Sequence, residues 1–196
     1  TDFYGKFTAG PFERGYGITV GNSLRRMLLS SIEGAAIIGA KFEGIYHEFS
    51  TVPGVMEDVS EIILNLKQVH IKMTGNEEMK RLYLKKSGAG EATGKDFDGD
   101  PDITVMNPDH VIATLNDNGA LEMEVIVTRG RGYLPADRHD LANESVQMIP
   151  VDALFSPIHK VNYQVEKTRV GQSTDYDQLA MEVWTSGAIT PEDAVA

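Results

Sequence analysis

Three aspartates at alternate positions, Asp96, Asp98 and Asp100, form the most prominent group of potential metal ligands in this 196-residue chain. Carboxylate oxygens are the ligands that Mg²⁺ and Ca²⁺ prefer, so the spacing is compatible with a metal-dependent enzyme. The segment does not match an EF-hand, because Pro101 stands where the turn glycine belongs and Asn107 where the bidentate acid belongs. We therefore expect an acidic surface turn and keep the metal-dependent enzyme as an alternative.

A second candidate is the glycine-containing turn that follows Arg129, in which Arg131 and Tyr133 complete a set of two cations and one aromatic ring. Such side chains can contact single-stranded nucleic acid, so a nucleic-acid-binding module is another alternative. The net charge of −11 opposes it, because an acidic surface repels a phosphate backbone. We expect a tight structural loop here and no direct contact with nucleic acid.

No other group of side chains has the spacing of a catalytic or cofactor site. Residues 89–96 lack the first glycine of a phosphate-binding loop, and the five histidines are never three or four residues apart. The absence of cysteine excludes disulfides, zinc–thiolate sites and cysteine nucleophiles from this chain. We predict no catalytic residue, no cofactor, no bound metal and no small-molecule substrate.

The composition is typical of a folded domain, with 41% apolar and 24% charged residues. No run of 18 apolar residues and no basic-then-apolar leader is present, so we expect neither a membrane span nor secretion. The lack of cysteine fits a reducing compartment. The expected location is therefore the cytoplasm.

The first predicted helix covers residues 18–32 and has one apolar face. Arg25 and Arg26 point away from that face, and Leu29 lies off it, so we expect an exposed apolar residue beside two cations. Guanidinium groups next to apolar side chains are typical of protein–protein contacts. The apolar face itself is formed by residues at helical spacing: Val20, Leu24, Met27 and Leu28.

The remaining elements alternate between strands and two further helices. A helix is predicted over residues 59–67, with acids in its first turn and Lys67 in its last, and Thr190 followed by Pro191 indicates another helix start. Short alternating runs predict a β-rich middle, in which residues 88–102 are expected to form a loose loop. Two longer runs, 158–168 and 179–185, suit an antiparallel pair beneath the first helix.

Six ordered blocks of sequence resemble the N-terminal domain of the bacterial-type DNA-directed RNA polymerase α subunit. Two of them are Gly130-Arg-Gly-Tyr-Leu-Pro-Ala136 and Val151-Asp-Ala-Leu-Phe-Ser-Pro157. The other four blocks cover residues 13–17, 21–26 with 28–31, 55–59 with 64–67, and 168–179.

This resemblance implies an α+β fold in which an antiparallel-sheet dimerisation lobe with helices is interrupted by an inserted β-rich lobe. The dimerisation lobe would comprise residues 1–33 plus 158–196, and the inserted lobe residues 34–157. The resemblance also implies a non-catalytic assembly scaffold that forms a homodimer and recruits the β and β′ subunits for transcription. The chain would thus serve nucleotidyl transfer only as a subunit of the polymerase.

Carried over position by position, the resemblance assigns Arg26 and Leu29 to contact with β, and Lys67 and Val151 to contact with β′. A helix starting at about Pro191 would contribute to the dimer interface. The first-helix face would serve both the core and the dimer interface, where two-fold symmetry doubles each contribution; it comprises Val20, Leu24, Met27 and Leu28.

Overall fold

A computed structural model describes residues 3–139, 141 and 144–196, and these contain fourteen strands and three helices. The helices are α1 (Tyr16–Ser30), α2 (Val59–Leu66) and α3 (Pro191–Val195). The strands are β1 (Tyr4–Phe12), β2 (Glu33–Phe42), β3 (Ile71–Met73), β4 (Met79–Ser87), β5 (Gly90–Thr93), β6 (Phe97–Gly99), β7 (Ile103–Val105), β8 (Val111–Leu115), β9 (Ala120–Arg131), β10 (Tyr133–Leu134), β11 (Ile149–Pro150), β12 (Ala153–Leu154), β13 (Ile158–Val170) and β14 (Ser173–Thr185).

The chain divides into two compact units, each with its own core. The outer unit comprises Thr1–Glu33 with Ser156–Ala196, and the insert unit comprises Gly34–Phe155. The strand pairs whose residue register is known are all antiparallel, and both units also contain helices. The predicted α+β class is confirmed. No helix among the described residues is long and apolar enough to cross a bilayer.

The outer unit is a three-stranded antiparallel sheet in the order β1-β14-β13, with α1 packed against it. The predicted antiparallel pair is confirmed by β13 and β14, which run side by side for 13 residues each. Alternating residues on one sheet face are buried with Leu28 of α1, as expected for a sheet with one solvated face. The buried core comprises Leu28, Ile158, Val161, Leu179, Met181 and Val183.

The insert unit is built on a seven-stranded sheet that contains the order β6-β4-β9-β2-β3-β7, with β11 paired to β2. Helix α2 begins with a capping box: the Asp58 carboxylate accepts from Glu61 N at 2.7 Å, and Glu61 Oε2 accepts from Asp58 N at 3.2 Å. Four apolar residues of α2 are buried, as their helical spacing predicted: Val59, Ile62, Ile63 and Leu66.

Two sequence predictions about α1 were wrong in detail. Met27, expected on the core face, is 59% exposed, whereas Leu29, expected to be exposed, packs partly buried against the outer core. The centre of the inward face is set by Gly17 and Gly21, which allow the closest approach to the sheet. Met27 lies ten residues from Gly17, roughly 80° away around the helix, and therefore falls on a flank.

The loose loop expected over residues 88–102 was also wrong. It contains β5, a 3-10 turn at Gly94–Asp96, and β6. The order comes from distant partners, because β5 pairs with β8 and β6 pairs with β4. Strand partners of this kind cannot be identified from the composition of the segment itself.

Candidate protein-binding surface

Helix α1 starts without a capping side chain of its own. Gly15 at the N-cap has φ +90°, a left-handed conformation that glycine adopts without a steric cost, and the first turn contains no acid. Instead, Gly15 N donates to Asp177 Oδ2, which reaches it from β14 at 2.7 Å. The sheet therefore supplies the negative group that normally stabilises a helix N-terminus.

Glycines bring α1 into direct contact with the sheet. A Cβ atom on Gly21 would lie 2.6 Å from the Tyr163 ring, and one on Gly17 would lie 2.8 Å from Val165. Neither position has room for a side chain, so the backbone of α1 rests on β13 and β14. This close contact fixes which side of the helix faces outward.

The outward side of α1 presents cations beside apolar groups. Arg25 and Arg26 are exposed, and neither guanidinium forms an ion pair with a described residue. On the same helix Tyr16, Ile18 and Met27 are each 59% exposed. Unpaired guanidinium groups next to exposed apolar side chains can bind a protein surface that offers carboxylates and an apolar pocket.

The four residues assigned to the dimer interface occupy different environments. Leu28 is buried in the outer core, and Val20 and Leu24 are half-buried against the same core. Met27 is the member with most of its side chain in solvent. The side chain of Leu29, which was assigned to β contact, is only partly accessible to solvent. Arg26 and Met27 therefore offer more accessible surface than the other assigned residues of α1.

The second pair of assigned residues lies in the insert unit. Lys67 caps the end of α2, and its Nζ atom contacts Asp152 Oδ2 at 2.7 Å. Asp152 Oδ1 also accepts from Ala136 N at 2.8 Å. The Lys67 ammonium, followed by this amide, lowers the pKa of Asp152 and keeps its carboxylate ionised. Val151 is 1% exposed, so its side chain belongs to the core.

An apolar groove of about 370 Å³ borders the Lys67 side chain. Its apolar part includes Leu64, which is 55% exposed on α2, together with Ile149 and Pro150 of β11. Glu48, Ser60 and Lys67 also line the groove, so it combines apolar surface with charged and polar groups that can contact the side chains of a protein partner.

Sequence reasoning missed a group of exposed apolar residues before α2. Tyr46, Phe49 and Met56 are 70%, 82% and 79% exposed. The Glu57 carboxylate holds this segment against β8, because it accepts from Thr114 N at 2.7 Å and from Thr114 Oγ1 at 2.9 Å. Large apolar residues in a stretch without helical or strand periodicity were the signal that could have identified this surface.

Two of the three aspartates that suggested a metal site are paired with different lysines. Asp96 accepts from Lys86 Nζ at 2.9 Å and Asp100 accepts from Lys80 Nζ at 2.7 Å, whereas Asp98 is exposed and accepts from Gly99 N at 2.9 Å. Lys80 lowers the pKa of Asp100, consistent with a charge-paired carboxylate. Within the described part of the chain, no three His, Cys, Asp or Glu side chains are grouped to hold a metal ion. The geometry does not support the metal-dependent enzyme.

The arginine-containing turn has a structural role. Arg129 Nη2 donates to the carbonyl oxygens of Gly75 at 2.6 Å and Met73 at 3.2 Å. A Cβ at Gly130 would lie 2.7 Å from the Phe155 ring, so the backbone packs closely there. Arg131 and Tyr133 are exposed. The insert unit has 20 of the 29 acids and 11 of the 18 Lys and Arg residues, a balance that disfavours phosphate binding.

Comparison with known proteins gives a consistent result over the whole chain. A family model described as the RNA polymerase Rpb3/RpoA insert domain matches residues 38–156. The DNA-directed RNA polymerase subunit alpha of Carboxydothermus hydrogenoformans is 55% identical over 195 residues, which cover 100% of this chain and 62% of the relative.

Two further relatives carry the same name. The subunit alpha of Symbiobacterium thermophilum is 54% identical over 97% of this chain and 60% of its own length. That of Geobacter metallireducens is 54% identical over 100% of this chain and 57% of its own length. The chain thus spans about three fifths of the length of these relatives.

Proposed function

Because this chain belongs to the RNA polymerase Rpb3/RpoA insert domain family of alpha subunits, we propose that it is a non-catalytic assembly scaffold of DNA-directed RNA polymerase. It forms a homodimer and recruits the β and β′ subunits, and it acts in the cytoplasm. The observation that carries the proposal is the identity of more than half of the residues to subunits alpha along the entire chain. The outer unit is the dimerisation lobe and the insert unit the inserted β-rich lobe.

The dimer forms through α1, with α3 contributing. Exposed apolar groups on α1 support this assignment, since burying one such side chain stabilises an interface by about 1.5–3 kcal/mol. Met27 has most of its side chain available for this contact. Helix α3 begins with Thr190 at its N-cap and Pro191 in its first turn, as predicted from the sequence. In a two-fold dimer each of these contacts occurs twice.

The β subunit contacts α1 through Arg26 and the accessible part of Leu29. Arg26 supports this role because its guanidinium is exposed and has no ion-pair partner among the described residues. A partner carboxylate can therefore pair with it without first displacing an intramolecular bond. A dimer carries two copies of α1, and only one of them needs to contact β, so the other copy is left for a different subunit.

The β′ subunit contacts the surface around Lys67, with Val151 as its support. Val151 N donates to Ile38 O at 2.8 Å, so this backbone is anchored to β2. The anchored backbone places Asp152 against the Lys67 ammonium. The adjacent apolar groove, with Leu64 at its edge, gives this contact its apolar component.

Arg26→Ala tests the β contact directly. We expect the variant to fold and dimerise normally but to lose co-purification with β, because the side chain is exposed and its guanidinium forms no ion pair with a described residue. Arg14→Ala is the matched control, since Arg14 is also exposed but precedes α1. Undiminished capture of β by the Arg26 variant would contradict the assignment. Lys67→Ala, compared with the exposed Lys72→Ala in β3, tests the β′ contact in the same way.

Met27→Asp tests the dimer. The charge should shift the protein from dimer to monomer in sedimentation, because an unpaired carboxylate in an interface is costly. Asn22→Asp makes a comparable charge change roughly 140° around the same helix, on its exposed side, and should leave the dimer intact. Equal sedimentation of both variants as dimers would remove Met27 from the interface.

A further inference from the structure

Asp177 is a buried carboxylate in the outer unit that the assignments above do not use. It lies on β14 and is 2% exposed. Along the sheet it is paired with Phe12 of β1 and Lys167 of β13. Phe12 ends β1, and the chain then turns into α1. Asp177 is thus placed at the junction between the sheet and the helix proposed to bind partner subunits.

Both carboxylate oxygens of Asp177 have partners. Oδ2 accepts from Gly15 N at 2.7 Å, and Oδ1 accepts from Lys167 Nζ at 2.8 Å. Lys167, together with the amides of Gly15 and Gly17, lowers the pKa of Asp177 and keeps the buried group ionised. Its neighbours therefore satisfy a charge that would otherwise be costly to bury.

The contact with Gly15 has no local substitute. The N-cap residue of α1 is a glycine without a side chain, and the first turn of the helix has no acid. Most helices are capped by a residue adjacent in sequence. Here the capping carboxylate comes from 162 residues away, so the contact fixes both the helix start and its position on the sheet.

We propose that Asp177 is the positioning residue for α1. By holding the first turn of the helix against β14, it determines where Arg26 and Met27 are presented to partner subunits. The close contact at Gly21 restrains the next turn, so the two contacts together allow a single orientation of the helix. The inference rests on the proposed function only where it concerns subunit binding; the orientation of α1 is a property of the outer unit alone.

Asp177→Ala tests the proposal in the full-length protein. The methyl group removes both acceptor oxygens, and with them the hydrogen bond from Gly15 N and the ion pair with Lys167. We expect amide hydrogen exchange in the first turns of α1 to accelerate about fivefold, the usual effect of losing a cap. Exchange in the core of β14, at residues 179–183, should stay unchanged. The dissociation constant of the dimer and that for β should both rise by a similar factor.

Two variants serve as comparisons. Asp175→Ala removes an exposed carboxylate from the same strand and should change neither exchange nor assembly. Lys167→Met removes the ion pair but leaves the contact with Gly15, so its effect on α1 should be smaller than that of Asp177→Ala. Should the Ala variant fail to fold, Asp177→Glu keeps the charge but displaces the carboxylate by one methylene, and should accelerate the same amides.

Unchanged exchange in α1, or a loss of protection spread equally over the whole sheet, would overturn the positioning role. An effect of Lys167→Met as large as that of Asp177→Ala would also overturn it, because the ion pair and not the helix cap would then be decisive. Failure of the unmodified protein to capture β would instead refute the proposed function. The exchange results would still decide whether Asp177 positions α1.

Discussion

Replacing Gly21 by alanine tests the close contact between α1 and its sheet. The new Cβ atom would lie 2.6 Å from Tyr163 Cδ2 and 2.9 Å from Leu179 Cδ1. Carbon atoms normally approach to about 3.5–4.0 Å, so the neighbours must move by roughly 1 Å. Leu179 is 1% exposed and has little space to do so. We expect overpacking to outweigh the better helix propensity of alanine.

The two opposing effects have different magnitudes. An additional carbon in a packed core costs about 1–3 kcal/mol, whereas replacing glycine by alanine in a helix gains up to about 1 kcal/mol. Since the Leu179 neighbour is fully enclosed, we expect the free energy of unfolding of the outer unit to fall by about 1–2 kcal/mol. Gly21→Val adds two more carbons and should reduce it further.

Urea unfolding followed by Trp184 fluorescence measures this effect. Trp184 is the only tryptophan in the chain and lies in β14 of the outer unit, with the Tyr4 ring centroid at 5.1 Å. The signal therefore reports the unit that contains α1. Asn22→Ala is the control, because this neighbouring position is exposed and should gain a few tenths of a kcal/mol from propensity alone. If Gly21→Ala proved as stable as Asn22→Ala, the close contact could not be as described.

Three further predictions concern the insert unit. Asp58→Ala removes the capping box of α2 and should reduce the free energy of unfolding by about 1 kcal/mol, measured by thermal denaturation. Lys80→Met should reduce the free energy of unfolding more at pH 7 than at pH 3. Lys80 lowers the pKa of Asp100, so the stabilisation from this ion pair is present above the unfolded pKa of about 3.9 and is lost as pH falls through the folded pKa. Urea midpoints at both pH values measure the difference. Calorimetric titration with Mg²⁺ or Ca²⁺ should give no binding heat, because Asp96 and Asp100 are held by separate lysines; micromolar binding abolished by Asp98→Asn would contradict this.

Elements governed by local sequence were predictable. The buried face of α2 follows from apolar residues at helical spacing, and its start follows from acids near Asp58. Thr190 and Pro191 likewise marked the beginning of α3. In each case the hydrogen-bonding partner or the packing face lies within a few residues of the side chains that predicted the helix. Interactions of this kind can therefore be recognised in a short segment of sequence.

The orientation of α1 was harder to predict because glycines determine it. Apolar spacing placed Met27 on the inner face and Leu29 outside it, and both assignments differ from the structure. A glycine contributes no hydrophobic side chain to a periodic pattern, yet Gly17 and Gly21 permit the closest backbone approach. Which side of the helix met the sheet therefore depended on residues that the pattern ignored.

Contacts between distant segments were not predictable. Asp177 caps a helix 162 residues earlier, and nothing near either residue reveals the pairing. The ordered strands β5 and β6 depend in the same way on partners elsewhere in the insert unit. For the candidate surface, composition suggested the cations of α1 but not the exposed apolar segment around Phe49.

The pairing of β1 with β14 affects how the protein forms on the ribosome. Tyr4 is paired with Trp184, so the first strand must wait for about 180 further residues before its neighbour is synthesised. At typical elongation rates of roughly 5–20 residues per second, this delay is about 10–35 seconds. The contiguous insert unit can fold during that interval, while the apolar side of α1 remains uncovered. Exposed apolar surface on a nascent chain promotes aggregation, and this risk ends when β14 emerges and completes the outer sheet.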